Sequence, residues 1–320
     1  QPFGGVASVN NFNRLAKAIR AILVRRMWFP ASQYYDDFTV NEPLGIATHG
    51  QTFLEKAVAL LGWVVECKSP PKSTYVSLGV QFEVAKVMLG GELVVKNTLA
   101  RIAALKDEVM GILEAAKLTP AQAGTLRGRL GFAAAQTFGR AGRAGLRVLS
   151  ERQHGSGSIL SEPIRFVLGF WLEFLEGAVP RAIDFRCPST PPVIIFTDGW
   201  QSDLSEDVSL GAGAVLYDPA DGALLYFGIR IDDATAKRWS GNGDKKMLIN
   251  QAELFPVLLA MTTWSGRLAR RRAIFFIDTD GARDSLIKGY SAVEASGHLI
   301  GAVGLVEQRL QCQAWFTRVP

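Results

Sequence analysis

Five carboxylates in this chain sit where they could do chemistry. Asp36 and Asp37 adjoin each other in the stretch "SQYYDDFTV", residues 32–40, directly behind two tyrosines and between β-forming residues. That stretch reads as strand, tight turn and strand, with the Asp pair at the tip. Two like charges so close raise each other's proton affinity unless a cation lies between them. Asp also favours turns for local hydrogen-bonding reasons, so the pair could do no more than shape the hairpin. The other three acids are Asp198, which ends the apolar run "VIIFTD", Glu253, in the helical segment "NQAELFPVLLAMTTW", and Asp278, directly after "AIFFI". Taken singly, each suits a strand-end turn or a helix cap. Taken in order, strand-Asp, strand, strand, helix-Glu and strand-Asp bring three acids toward one end of a mixed sheet. Three carboxylates without a base cannot all stay ionised unless divalent cations bind. A pair of Mg²⁺ ions there would activate a water and stabilise the leaving oxygen of a phosphodiester.

The elements that must hold these acids follow from periodicity. Phe12, Leu15, Ala16, Ile19, Ile22 and Leu23 recur at helical spacing and predict a helix from about Asn10 to Met27, with Arg14, Lys17 and Arg25 off its apolar face. A second helix is expected near 51–61, and "GWVVE" and "YVSLGVQFEV" read as strands. From Lys86 to Arg152 the pattern is helical, with Thr119 as N-cap and Pro120 in the first turn of one helix. A further helix covers Glu162 to Glu176. "RCPSTPP", Arg186 to Pro192, is the best linker in the chain, and no internal repeat is visible.

Charge is unevenly spread. Residues 1–192 carry 22 Lys and Arg against 15 Asp and Glu, while residues 193–320 carry 13 against 15. This pairs a basic region that could track a polyanion with an acidic one that holds carboxylates. Arg127, Arg129, Arg140, Arg143, Arg147 and Arg152 have only Glu151 among them as an acid. Arg140, Arg143 and Arg147 lie three and four apart and so share one predicted helix face, and such a one-signed face suits phosphate contact. Cys67, Cys187 and Cys312 are odd in number and far apart, which fits neither a disulfide framework nor a zinc site and suits a reducing, intracellular compartment. His49, His154 and His298 are scattered and read as structural or surface residues. No uncharged apolar run approaches the length of a membrane span.

The residues 192–320, "IIFTDGW…GAGAVLYD…QAELFPVLLAM…FFIDTDGARDSLI", resemble a ribonuclease H domain in strand order and in the placement of Asp198, Glu253 and Asp278. Asp280 reads as a turn or helix-cap residue. The family's fourth acid would lie beyond the end of this sequence, and the long spacing from Asp198 to Glu253 implies an insertion in "DDATAKRWSGNGDKKML". With that neighbour, "YYDD" resembles the Tyr-x-Asp-Asp hairpin of retroelement (retrotransposon-type) reverse transcriptases. "QPFGGVASVNNFNRL" then resembles their Pro-x-Gly segment, "YVSLGV" a primer-side hairpin, and the Arg-rich region a thumb. The resemblance implies an α/β (α+β) protein. Its parts would be a partial palm over 1–85, a helical thumb and connection over 86–190, and a ribonuclease H-like mixed-sheet domain over 191–320.

By the same resemblance, Asp36, Asp37, Asp198, Glu253 and Asp278 would be catalytic and would hold Mg²⁺ or Mn²⁺. Pro2, Phe3 and Gly4 would flank a dNTP, and Arg127, Arg129, Arg140, Arg143 and Arg147 would contact an RNA–DNA hybrid or template–primer duplex. The activity implied is RNA-directed DNA synthesis with cleavage of the RNA strand of hybrids. One upstream polymerase Asp falls before Gln1, so polymerisation by this piece alone is not expected. The alternative is a repurposed remnant that binds nucleic acid without chemistry.

Overall fold

Ala16, Ile19 and Leu23 lie one and two turns apart on one face of α1 (Val6–Arg26) and are buried, whereas Leu15, which the periodicity assigned to that face, is exposed. In this computed structural model the described residues are 6–43, 45–66, 69–89, 91–186, 189–202, 209–240 and 248–319. They form two compact units, Gln1–Leu93 and Val94–Pro320. Pro2, Phe3 and Gly4, with Cys67, Cys187 and part of the expected insertion, lie outside the described residues. No helix among the described residues is long and apolar enough to cross a membrane.

In the first unit, β1 (Ala31–Tyr34) and β2 (Asp37–Val40) pair as an antiparallel hairpin, and α2 (Ala47–Leu60) follows. Ile19, Leu23, Phe29, Ala31, Leu54, Ala57 and Val58 make its core. The segment "GWVVE" is not a strand. Trp63 and Val65 instead pack directly on that core, which satisfies their hydrophobicity without a partner strand. The stretch "YVSLGVQFEV" is two strands, β3 (Thr74–Ser77) and β4 (Val80–Glu83), joined through Leu78 and Gly79. Both turn residues have positive φ, 51° and 71°, the pattern of a two-residue hairpin whose twist matches its strands. The boundary between the units falls within β5 (Glu92–Asn97), a strand inside a window whose spacing reads as helix.

The second unit begins with four helices: α3 (Leu99–Ala115), α4 (Pro120–Ala134), α5 (Leu146–His154) and α6 (Glu162–Glu176). The start of α4 is the one its sequence announces. Thr119 accepts from the Gln122 amide and the Gln122 side chain accepts from the Thr119 amide, a complete capping box with proline behind it. Leu105, Leu126, Leu130, Leu149, Leu168, Trp171 and Phe174 fill the space between these helices. A 3-10 turn, Ala141–Arg143, lies between α4 and α5.

After β6 (Arg181–Asp184) come β7 (Val193–Ser202), β8 (Ser209–Asp218) and β9 (Ala223–Ile231), then α7 (Asp233–Ser240), α8 (Ile249–Thr263), α9 (Ser265–Leu268), β10 (Arg272–Ile277), α10 (Asp280–Lys288), α11 (Glu294–Leu310) and β11 (Gln313–Arg318). The sheet order is β11-β10-β7-β8-β9. β8 runs antiparallel to β7 and β9, while β10 and β11 run parallel to β7. The chain is therefore a mixed α/β protein. Val193, Ile195, Ala214, Leu216, Phe275 and Ile277 face α8 and α11 from one side of the sheet.

The Arg186–Pro192 segment does not separate two compact bodies, because the helices and this sheet belong to one unit. Arg271 and Arg272 donate to the carbonyls of Pro191 and Thr190, at 3.1 and 2.8 Å, and tie the segment to the sheet. Arg271 also holds the buried Asp218 at 3.0 Å, and that hydrogen bond is the main cause of the low Asp218 pKa.

Helix α8 packs directly on the backbone of β7 at Gly199. A methyl group there would overlap the Ala252 carbonyl and the Glu253 amide of α8, so strand and helix meet backbone to backbone. Gly199→Ala is expected to destabilise the unit by about 1–3 kcal/mol through overpacking. Gly228→Ala, in β9 with nothing near the added methyl, should stay within about 0.5 kcal/mol. Urea denaturation of both variants checks this.

Candidate active site

Asp198 sits inside β7, paired with Gly213 of β8, rather than at the strand's end. The apolar run stops at Phe196, but the strand continues through Ser202 because β8 goes on pairing with it. On its other side β7 pairs with β10 only as far as Thr197 with Ile277. Asp198 and Asp278 are the next residues on those two parallel strands, just where pairing ceases, and both are exposed. Neighbouring strands lie about 4.8 Å apart, which makes these acids near neighbours at the mouth of the opening.

Glu253 reaches the same opening from α8. It is 3% exposed, and the Gly199 amide donates to its carboxylate. Its Oε2 is buried and has no hydrogen-bond partner. Burial first, then the charge of Asp198 and to a lesser degree that of Asp278, push its pKa from 4.5 up to about 7. Glu253 thus feels the charge of both aspartates. Among the described residues, however, no group of three or more His, Cys, Asp or Glu side chains is gathered closely enough to hold a metal ion as it stands. The donor chemistry fits a hard divalent cation, since all three donors are carboxylates and one buried oxygen lacks a partner.

The surroundings include residues that the motif reading missed. Gly199 supplies the amide that fixes Glu253, and a glycine next to a strand acid was the available signal. Asn250, one turn before Glu253, donates to the buried Ser296 of α11 at 3.2 Å and fixes α8 from its far side. Asp280 is the first residue of α10, whose cap position is Thr279 rather than Asp280 as the sequence suggested, and is paired with Arg283 at 2.9 Å and Arg318 at 3.4 Å.

In the first unit the carboxylate pair is not wholly at the hairpin tip. Tyr34 pairs with Asp37, so Tyr35 and Asp36 form the two-residue turn and Asp37 opens β2. Tyr35 takes the left-handed conformation, φ 51°, that such a turn demands. Gln33 donates to its carbonyl at 2.6 Å, and the rings of Tyr34 and Tyr35 meet edge to face at 4.8 Å.

The arginines do not form one continuous helix face. α4 stops at Ala134, Arg140 precedes a 3-10 turn whose last residue is Arg143, and Arg147 is on α5. Most are engaged within the protein: Arg127 with Ser150, Arg129 with Glu108, Arg147 with Glu151, and Arg152 with the carbonyls of Ser156 and Ile159. Arg140 donates to the Ala314 carbonyl at 2.6 Å and to Glu307 at 3.3 Å, and lies over the Phe316 ring. Burial raises the Glu307 pKa, and Arg140 opposes that shift.

No family model matches the chain, and no curated protein matches its sequence. Among solved structures the chain is similar to an RNase H1 from the halophilic archaeon Halobacterium salinarum NRC-1. The identity is 17% and the TM-score 0.29, over 41% of this chain and 86% of that one.

The raised Glu253 pKa has a consequence for stability. Between pH 4.5 and about 7 the folded state keeps a proton that the unfolded state has released, so stability falls as pH rises through that window. In metal-free buffer, urea midpoints at about pH 5 and about pH 8 should show the wild type losing about 2–3 kcal/mol more than Glu253→Gln.

Proposed function

We propose that the Val94–Pro320 unit is a metal-dependent nuclease of the ribonuclease H type, which cleaves the RNA strand of RNA–DNA hybrids. The observation that carries the reading is a buried carboxylate with a partnerless oxygen, Glu253, set against Asp198 and Asp278 where two parallel strands part. Asp198, Glu253 and Asp278 would hold Mg²⁺ or Mn²⁺. When bound, such ions lower the pKa of an attacking water and offset charge on the leaving oxygen. The chain's own part is positional. The Gly199 amide holds one side of the Glu253 carboxylate, and the contact of α8 with β7 fixes the height of Glu253 above the strand. Asp198 and Asp278, both exposed, offer their carboxylates to solvent and to an approaching phosphodiester. The 2′-hydroxyl of the RNA strand is the group by which a protein tells it from DNA.

A second reading concerns the Gln1–Leu93 unit. The two-residue turn that carries Asp36, with Asp37 beside it, favours a reverse transcriptase palm hairpin that binds metal, dNTP and template–primer. Asn at both positions should abolish a weak Mn²⁺ site in that unit. Mn²⁺ titration followed by electron paramagnetic resonance with unchanged stoichiometry would rule this out.

For the nuclease, hybrid cleavage in Mn²⁺ should fall at least about 100-fold in Asp198→Asn and in Glu253→Gln, beyond the roughly 10–100-fold cost of losing a group that merely orients a ligand. The same variants should lose Mn²⁺ binding in the titration. Wild-type Mn²⁺ affinity in both variants would overturn the assignment, whatever the level of cleavage.

A further inference from the structure

The starting ends of β10 and β11 form one side of a cleft of about 740 Å³, and the 138–143 segment and β6 form the other. Arg140, Arg143, Arg181 and Arg272 line it, with Glu307 as the acid among them. Glu307 is buried and already paired with Arg140, so the cleft presents an excess of positive charge. Arg143 is exposed, and its guanidinium has no hydrogen-bond or ion-pair partner among the described residues; only its backbone amide is engaged, by the Arg140 carbonyl at 3.0 Å. Arg181 and Arg272 each spend a donor on a backbone carbonyl, of Ala135 and Thr190, and a guanidinium has five. Trp315, 69% exposed on β11, and the half-buried Phe138 supply aromatic surface in the same cleft.

We infer that this cleft binds single-stranded nucleic acid, its arginines following the phosphates and Trp315 stacking on a base. A basic groove interleaved with an exposed aromatic ring is the arrangement that holds single strands without sequence preference. The volume falls in the range of small-ligand sites, about 300–1,000 Å³, which admits splayed nucleotides. The site is separate from the carboxylates. Arg272 opens β10 and Asp278 follows its end, six residues on, which at about 3.3 Å per residue is about 20 Å along the strand.

The test is fluorescence anisotropy of labelled dT20 and U20 with the whole chain in EDTA. Trp315→Ala should weaken binding about 5- to 150-fold, the cost of one lost base stack, while Trp315→Phe keeps most of it. Arg143→Ala combined with Arg272→Ala should flatten the dependence of log affinity on log salt by about 1.4 units, about 0.7 per phosphate released. The dT20 and U20 arms decide whether DNA, RNA or both are held. Glu253→Gln should bind both as the wild type does, which keeps this result independent of the nuclease reading. Affinity and salt slope unchanged in the Trp and Arg variants, or equal affinity for a duplex of the same length, would overturn the inference.

Discussion

The approach of α8 to β7 at Gly199 sets the terms for the rest of the sheet. With no side chain between them, the Ala252 carbonyl and the Glu253 amide come against the strand backbone itself. Pro256, four residues on in α8, has no N–H to donate to the Ala252 carbonyl, so the helix's own hydrogen-bond ladder is broken at the very carbonyl that meets the strand. The close approach seats Leu254, Val257 and Met261 in the core and drives Glu253 to the opening between β7 and β10. A carboxylate carried so far inward is desolvated, and it stays there because the fold around it is held by apolar contacts that outweigh its discomfort. The polar site is thus a by-product of tight apolar packing, positioned by the least conspicuous residue in the region.

The same economy appears between the helices and the sheet of the second unit. Gly304 of α11 would place a methyl 2.7 Å from the Ala141 backbone, and Gly142 and Gly145 leave room for Trp171 and Ala134. Into that small-residue contact Arg140 sends one guanidinium, which serves a backbone carbonyl, a buried acid and an aromatic face together. A buried ion pair adds little net stability against an apolar pair of the same shape, but losing one partner leaves the other charge stranded. Its role here is to fix which surface of α11 meets the 3-10 turn.

What the sequence showed depends on the range of the interactions involved. Local rules were enough for the Thr119 capping box and for α6, whose bounds match the apolar spacing of Ile164, Val167, Leu168 and Trp171. The order of strands and acids from Asp198 to Asp278 was also readable, because Asp198 and Asp278 each follow an apolar run and Glu253 stands at the head of one. Partner-dependent features were not. β5 is a strand because of its neighbours, "GWVVE" is not one because the core takes its side chains singly, and β7 outlasts its apolar run because β8 does. The arginines misled for the same reason. Their spacing gave a helix face, but α4 ends early and Arg140 finds its acid 167 residues away.

That separation also has a meaning in time. Arg140 contacts Glu307 and Ala314, 167 and 174 residues further along the chain. At about 5–20 residues per second of synthesis, roughly 10–30 s pass between the appearance of the arginine and that of its partners. Through that interval the helices of the second unit can assemble around Leu126, Leu130 and Trp171, but the surface that receives α11 stays open and carries an unanswered charge. Contacts of such long range are the slow ones in folding, since loop-closure entropy is spent before they form. β11, at the edge of the sheet, is the strand of that sheet synthesised last, and it brings the Ala314 carbonyl that Arg140 meets.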